Sequence, residues 1–320
     1  MVDLMYFQLS ENPLNIKSIL NVLIMTTCLI AYTANAQQVD EKQEAPPAIP
    51  DREIHLFDLM LKDGIYQLAN GENITNNKGY DNQPYFTPAS KTVLFVSERG
   101  GRSTDVFEYN IKTGKTAQLT DTPHAEYSPK SVGESGHVSF VSEGFNPYQS
   151  VWKLDVKSGE QSWLLNSKEP VGYYHLNAAS GDVLFWSRYG WSVQYLNIKT
   201  EQNRFVSGNA IPSSPQQIPN SVEFSFVHRQ TNGQVWIKAF DPKNFSIRPI
   251  APIFDTNHEY GWAPNGDILR FDDNQLYIWP AGNKGFSWQK GPDLKGLIKG
   301  EMGRLAVSHD GQKIAVVESL

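Results

Sequence analysis

Six apolar runs recur along the chain at nearly constant spacing: VLFVS at 93–97, VSFVS at 138–142, VLFWS at 183–187, FSFVH at 224–228, ILRFD at 268–272 and IAVVE at 314–318. Their starts lie 45, 45, 41, 44 and 46 residues apart. A period in the forties means that one supersecondary unit has been copied, and a single copy cannot bury its own apolar faces. The chain must therefore fold by stacking copies against one another.

The copy at 82–120 shows what the unit contains. A Pro-bearing strand comes first, then a turn at 88–91, the apolar strand and a Gly-rich loop. A strand at 106–111, a Lys-Thr-Gly turn and a short strand ending in Leu-Thr complete it. This is a four-stranded antiparallel meander. The third strand recurs at 151–156, 193–198, 235–240 and 276–279. It alternates with period two: Phe107, Tyr109 and Ile111 share one face, while Glu108 and Asn110 take the other. Outer strands are predicted at 116–119, 162–165, 204–206, 247–250 and 286–288.

The last apolar run has no third or fourth strand behind it. Residues 54–59 (IHLFDL) fit the third-strand pattern and 65–69 (IYQLA) the outer one. The expected fold is all-β: a six-bladed β-propeller of four-stranded antiparallel blades over 53–320, closed by N-terminal strands completing the last blade. Closure also removes the sheet edges that would otherwise invite aggregation.

Residues 1–36 are read as a cleavable signal peptide. The apolar run at 19–32 follows Lys17, is too short to span a bilayer comfortably, and is followed by Ala34-Asn35-Ala36, an A-x-A site that makes Gln37 the expected start. Residues 37–52 (QQVDEKQEAPPAIPDR) are polar, Pro-rich and without periodicity, as in a tether. Cys28 is the only cysteine, so cleavage after Ala36 leaves no disulfide, thiol nucleophile or Cys–metal site. Removing Lys17, Asp3 and Glu11 leaves 27 basic and 32 acidic residues, a charge of −5, which argues against a nucleic-acid partner. An exported, cysteine-free, mildly acidic chain suits a bacterial periplasm, and a monomer without a membrane span is expected.

The copy at 82–120 and the stretch 308–319 (SHDGQKIAVVES) resemble the WD40-like (PD40) repeat of TolB and its relatives. The matching positions are Asn82, Pro84, Pro88, Ser97, Arg99, Gly100, Gly114, Leu119 and Thr120, with Pro129, Pro215, Pro264, Asn265 and Gly266 in other copies. The resemblance implies a propeller fold and says little about activity, because such repeats serve many roles. It departs from TolB in one respect: a tether stands here where TolB carries an α/β domain between leader and propeller.

In such a meander the second-to-third and fourth-to-first loops share one face of the ring, and tight turns occupy the other. The first face gathers the longer loops and the aromatic, Arg and His residues. The candidate ligand- or partner-binding residues there are Arg99, Arg102, His124, Phe145, Tyr148, Tyr189, His258 and Asp273. The Asp and Asn at 58, 110, 155, 197 and 241 precede turns and are expected to bond the backbone ahead rather than a metal. No G-x-S-x-G, P-loop, Rossmann glycine pattern or sialidase-type Asp box occurs, so no catalytic residue, metal or cofactor is assigned. The favoured expectation is a non-catalytic module binding a protein or peptide-like envelope ligand. The alternative is a propeller hydrolase or lyase with a channel metal, for which His124, His175 and His258 could converge at the channel mouth, as metal-bound histidines do in some lyases with related repeats.

Overall fold

The apolar runs form the second strands of six four-stranded antiparallel sheets. The computed structural model describes residues 51–99, 103–133, 136–144, 148–165, 167–282 and 287–320. The leader and all but the end of the tether lie outside these residues, as do Arg102 and Phe145. Blade 1 comprises Asp81–Phe86, Thr92–Ser97, Asp105–Asn110 and Lys115–Gln118, from the innermost strand outward. Blade 2 comprises Glu126–Ser131, His137–Ser142, Ser150–Asp155 and Gln161–Leu165. Blade 3 comprises Val171–Asn177, Asp182–Ser187, Ser192–Asn197 and Asn203–Ser207. Blade 4 comprises Gln216–Gln217, Phe224–Arg229, Val235–Phe240 and Ile247–Ile253. Blade 5 comprises Gly261–Trp262, Ile268–Asp272, Gln275–Trp279 and Gln289–Asp293.

Blade 6 is the clasp. Glu301–Val307 and Lys313–Ser319 supply its inner half, and Arg52–Lys62 and Ile65–Asn73 its outer half. The halves join in unbroken register from Arg52↔Ser319 through Leu56↔Ala315 to Asp58↔Lys313. Lys313 Nζ donates to Asp58, which also accepts from Asn70 Nδ2 at 2.6 Å, and these two partners hold the Asp58 carboxyl below its ordinary range. His55 Nε2 lies 2.7 Å from Glu318 Oε2 along the same seam.

Why the second strands read as continuous apolar runs follows from the packing. Each is covered on both faces. Ile314 and Val316 face blade 5, while Ala315 and Val317, one residue out of phase, pack against Val93, Phe95 and Phe107 of blade 1. Leu94 points the other way, onto Val138 and Phe140 of blade 2. The pattern continues around the ring, so the buried core is six wedges, each between neighbouring blades. Adjacent sheets thus supply the burial that no blade achieves alone.

Two serines interrupt these runs, and each meets a tyrosine of the next blade. Tyr174 Oη donates to Ser139 Oγ at 2.7 Å, and Tyr260 Oη donates to Ser225 Oγ at 2.7 Å. Burial is the main cause that raises both phenols far above their ordinary range, against the lowering effect of the serine hydroxyls. Ser139→Ala would leave the Tyr174 hydroxyl buried without its acceptor, which costs about 1–3 kcal/mol. The expected result is a urea midpoint lowered accordingly, with most of the loss recovered when Tyr174→Phe is added. An unshifted midpoint in the single variant would show the hydroxyl pair to be neutral.

One strand lies elsewhere than the sequence suggests. The outer strand of blade 5 is Gln289–Asp293, beyond the expected 286–288. Trp288 instead packs edge-on against Trp279, with ring centroids 5.4 Å apart, and donates its Nε1–H to Pro252 O at 2.7 Å. The inner strands of blades 1, 2, 3 and 6 share another feature: each carries a register shift, at Asn82/Tyr85, Tyr127/Lys130, Val171/Tyr173 and Met302/Leu305. In blades 1 and 2 the shift coincides with left-handed backbone at Gln83 (φ 58°) and Ser128 (φ 53°), immediately before Pro84 and Pro129. Bulges of this kind re-aim side chains. Here they supply the lining of the central channel.

Candidate functional site

The Asx positions act in turns. Asp155 Oδ1 accepts from the backbone N–H groups of Lys157 (2.9 Å) and Ser158 (3.0 Å), and Asn197 Oδ1 does the same for Lys199 (2.9 Å) and Thr200 (3.0 Å). Asp58 is the exception, tied to Lys313 and Asn70. Among the described residues no cluster of three or more His, Cys, Asp or Glu could hold a metal ion. His175 does not reach the mouth with His124 and His258; it lies on the inner strand of blade 3 and lines the cavity of the opposite face.

On the loop-rich face the connections of blades 1 to 4 enclose a recess of about 630 Å³. Its walls are aromatic: Tyr80, Tyr127, Tyr173, Trp186, Tyr189 and Trp191. Trp186 is the fixed centre. Its ring lies 5.8 Å from Tyr173 and, edge-on, 5.9 Å from Trp191, and its Nε1–H donates to Ala210 O at 3.1 Å. Gly172 makes room for that ring, because a Cβ there would stand 2.5 Å from Trp186 Cε3. Trp191 sits in the left-handed region (φ 43°) ahead of the third strand. Tyr189 and Trp191 are 68% and 58% exposed, apolar surface that the fold itself leaves uncovered. A polar rim stands beside them: Glu143 accepts from Gln149 Nε2 at 2.8 Å and from Arg188 Nη1 at 3.4 Å, joining blades 2 and 3.

Of the described site residues anticipated from sequence, Tyr189 lines this recess. Tyr148 stands next to Gln149 on its rim and is exposed. Arg99 is engaged within the fold, donating to Ser97 Oγ (3.0 Å) and Thr75 O (3.3 Å) over the Phe107 ring. The His124 ring packs over Gly144. His258 belongs to the connection into blade 5, and burial pushes its pKa down. Asp273 pairs with Lys295 at 2.6 Å on an exposed loop of blade 5. These residues are spread around the ring rather than gathered. Sequence reasoning missed Tyr127, Trp186 and Gln149; the first two sit within strands, where an aromatic residue reads as core.

The tight-turn face has its own cavity, about 520 Å³, lined by the bulged inner strands. Gln83 borders both recesses. Between them Arg304 extends from blade 6 to the ring of Tyr173 on the opposite blade 3, 5.0 Å from its centroid. Glu259 Oε1 accepts from Arg304 Nη2 at 2.7 Å and Nε at 3.0 Å. Burial opposes the guanidinium charge, but Glu259, joined by Tyr173 and Tyr80, outweighs it, and Arg304 stays protonated well above its ordinary value.

Neither a family model nor a curated protein matches this sequence. Solved structures do match its fold. TolB from Acinetobacter baumannii superposes with a TM-score of 0.56 at 12% identity, over 84% of this chain and 64% of that one. This chain thus spans less than two thirds of that protein. A protein assigned as TolB, from Agrobacterium tumefaciens, gives 0.61 at 13% identity over 85% and 99% of the two chains. An oligogalacturonate lyase in complex with manganese gives 0.53 at 12% identity over 80% and 82%. At such identities the likeness is one of fold, and the fold is TolB-like.

Proposed function

We propose that this chain is an exported, monomeric, non-catalytic propeller that binds a protein or peptide-like ligand of the cell envelope through its loop-rich face. The observation that carries the reading is the aromatic recess, in which exposed Tyr189 and Trp191 surround a fixed Trp186. Rigid aromatic side chains give much contact area for little entropic cost, and buried Trp and Tyr anchors dominate binding energies at protein interfaces. The TolB-like fold and the apolar leader, with its A-x-A site at 34–36, support the periplasm as the compartment.

The test is in-cell crosslinking and affinity capture with the tagged full chain, against Tyr189→Ala/Trp191→Ala. Both side chains are exposed, so thermal stability should be unchanged. Partner affinity should fall by roughly 30-fold or more, as for removal of an interface anchor worth at least about 2 kcal/mol. Absence of any specific partner, or a double variant that retains it, would sink the reading.

A further inference from the structure

The cavity on the tight-turn face holds a cation that the fold leaves without an acid. Lys130, brought inward by the bulge in the inner strand of blade 2, lines the cavity together with Ser128, His175, His309, Arg304 and Glu259. The only carboxylate among these, Glu259, is occupied by Arg304. Lys130 pairs with no acid and no hydrogen-bond acceptor among the described residues; its ammonium rests on the Tyr85 ring, 4.8 Å from the centroid. Lys130 is partly buried, and a cation–π contact offsets only part of the cost of removing a charge from water. The burden shows in the ammonium itself: burial pushes Lys130 down to about 7, Arg304 adds to the push and Glu259 opposes it.

A second observation points the same way. Ser128 is only 3% exposed, lines the cavity, and its Oγ has no hydrogen-bond partner. Its backbone, held in the left-handed region, donates to Gln83 Oε1 at 2.5 Å, which fixes the bulge on which the hydroxyl stands. Buried polar atoms without partners are rare in folded proteins, and each asks for a group that is missing. His175 completes the set. Burial, with Lys130 and His309 nearby, lowers it to about 3, so it is a neutral imidazole and adds no charge of its own.

A lone ammonium, an unused hydroxyl and a neutral imidazole in a cavity of ligand size suit one ligand chemistry. We propose that this cavity binds a small carboxylate anion, with Lys130 as its charge partner and the Ser128 hydroxyl as a hydrogen-bond donor. Charge-assisted hydrogen bonds to a carboxylate are about twice as strong as neutral ones, so discrimination against an uncharged isostere follows. The mouth, bordered by Pro88, Pro219, Pro264 and Asn220, faces away from the aromatic recess. The proposal therefore stands or falls independently of the partner site.

Isothermal titration of the full chain at pH 7 and low ionic strength tests it, with succinate and benzoate as probes and succinamide and benzamide as neutral counterparts. At least one carboxylate should bind saturably, and its amide at least about tenfold more weakly. Lys130→Met should abolish that binding without lowering the melting temperature, since it removes an unpaired cation. Ser128→Ala, the smaller change, should weaken binding by about three- to tenfold, the worth of one hydrogen bond. Should the Lys130 variant fail to fold, the Ser128 variant and the amide comparison still decide. Failure of both carboxylates to saturate, equal binding of the amides, or full affinity in either folded variant would overturn the assignment.

Discussion

Removing residues 51–73 is expected to abolish cooperative unfolding rather than merely weaken it. These residues are the outer half of blade 6, and without them the strand Lys313–Ser319 has no partner on its outer side. The deletion takes away Ile54, Leu56, Phe57, Leu59 and Tyr66, all buried against blades 1 and 5. Each large apolar side chain contributes about 1.5–3 kcal/mol on burial, and roughly 10 kcal/mol in sum rivals the whole stability of a typical domain. Circular dichroism on heating should show no sharp transition, and a dye that reports exposed apolar surface should bind. Phe57→Ala provides the graded version, with a cost of about 3–5 kcal/mol and a melting temperature lower by roughly 6–20 °C. A truncated chain melting within about 3 °C of the parent would mean that the clasp does not hold the ring closed.

Arg270→Ala should rank with the most damaging single substitutions outside the clasp. Arg270 occupies the place in the second strand of blade 5 where blades 1 to 4 have Phe95, Phe140, Phe185 and Phe226. It is 3% exposed and forks onto Asp255, with Nη1 donating to Oδ2 at 2.6 Å and Nη2 to Oδ1 at 2.5 Å. Nη2 also donates to Asn257 O at 2.5 Å, and the guanidinium stands 5.5 Å from the Trp288 ring. Removing one partner of such a pair costs about 3–5 kcal/mol, because the other charge is stranded. Replacing both groups is a different matter. Arg270→Phe with Asp255→Asn restores the repeat residue and removes the stranded charge, and should cost under half as much. Urea titrations of the two variants check this; an alanine variant as stable as the parent would show that the pair contributes nothing net.

What the sequence revealed and what it concealed have one physical explanation. Second strands are covered on both faces, so their apolar runs are long, regular and readable; Val93, Val138 and Val183 mark the period without ambiguity. The clasp was legible for the same reason, since Ile54 and Leu56 alternate with residues that face the other wedge. The outer strand of blade 5 was not, because Gln289–Asp293 is an edge with little to bury, while the aromatic Trp288 that suggested a strand covers Arg270 instead. The channel residues were hidden more deeply. Whether Lys130 or Ser128 points inward depends on the register shift between Tyr127 and Lys130, which spacing alone does not disclose. Pro129 and Pro84 were its only trace, and they read equally well as strand punctuation.

The clasp also sets the order of events in time. His55 and Glu318, 2.7 Å apart in the folded chain, are separated by 263 positions in sequence. Every other blade closes through hairpins between neighbouring segments, a local search. The seam between Arg52–Lys62 and Lys313–Ser319 must instead wait until the intervening blades have shortened the gap. Contacts between distant segments demand loop entropy before they return any stabilisation, and they slow folding. Until that seam forms, the face of blade 1 that Ala315 and Val317 cover stays bare, and Lys313–Ser319 keeps an unpaired edge. The interval before closure is then the period in which the chain is most exposed to pairing with another copy of itself.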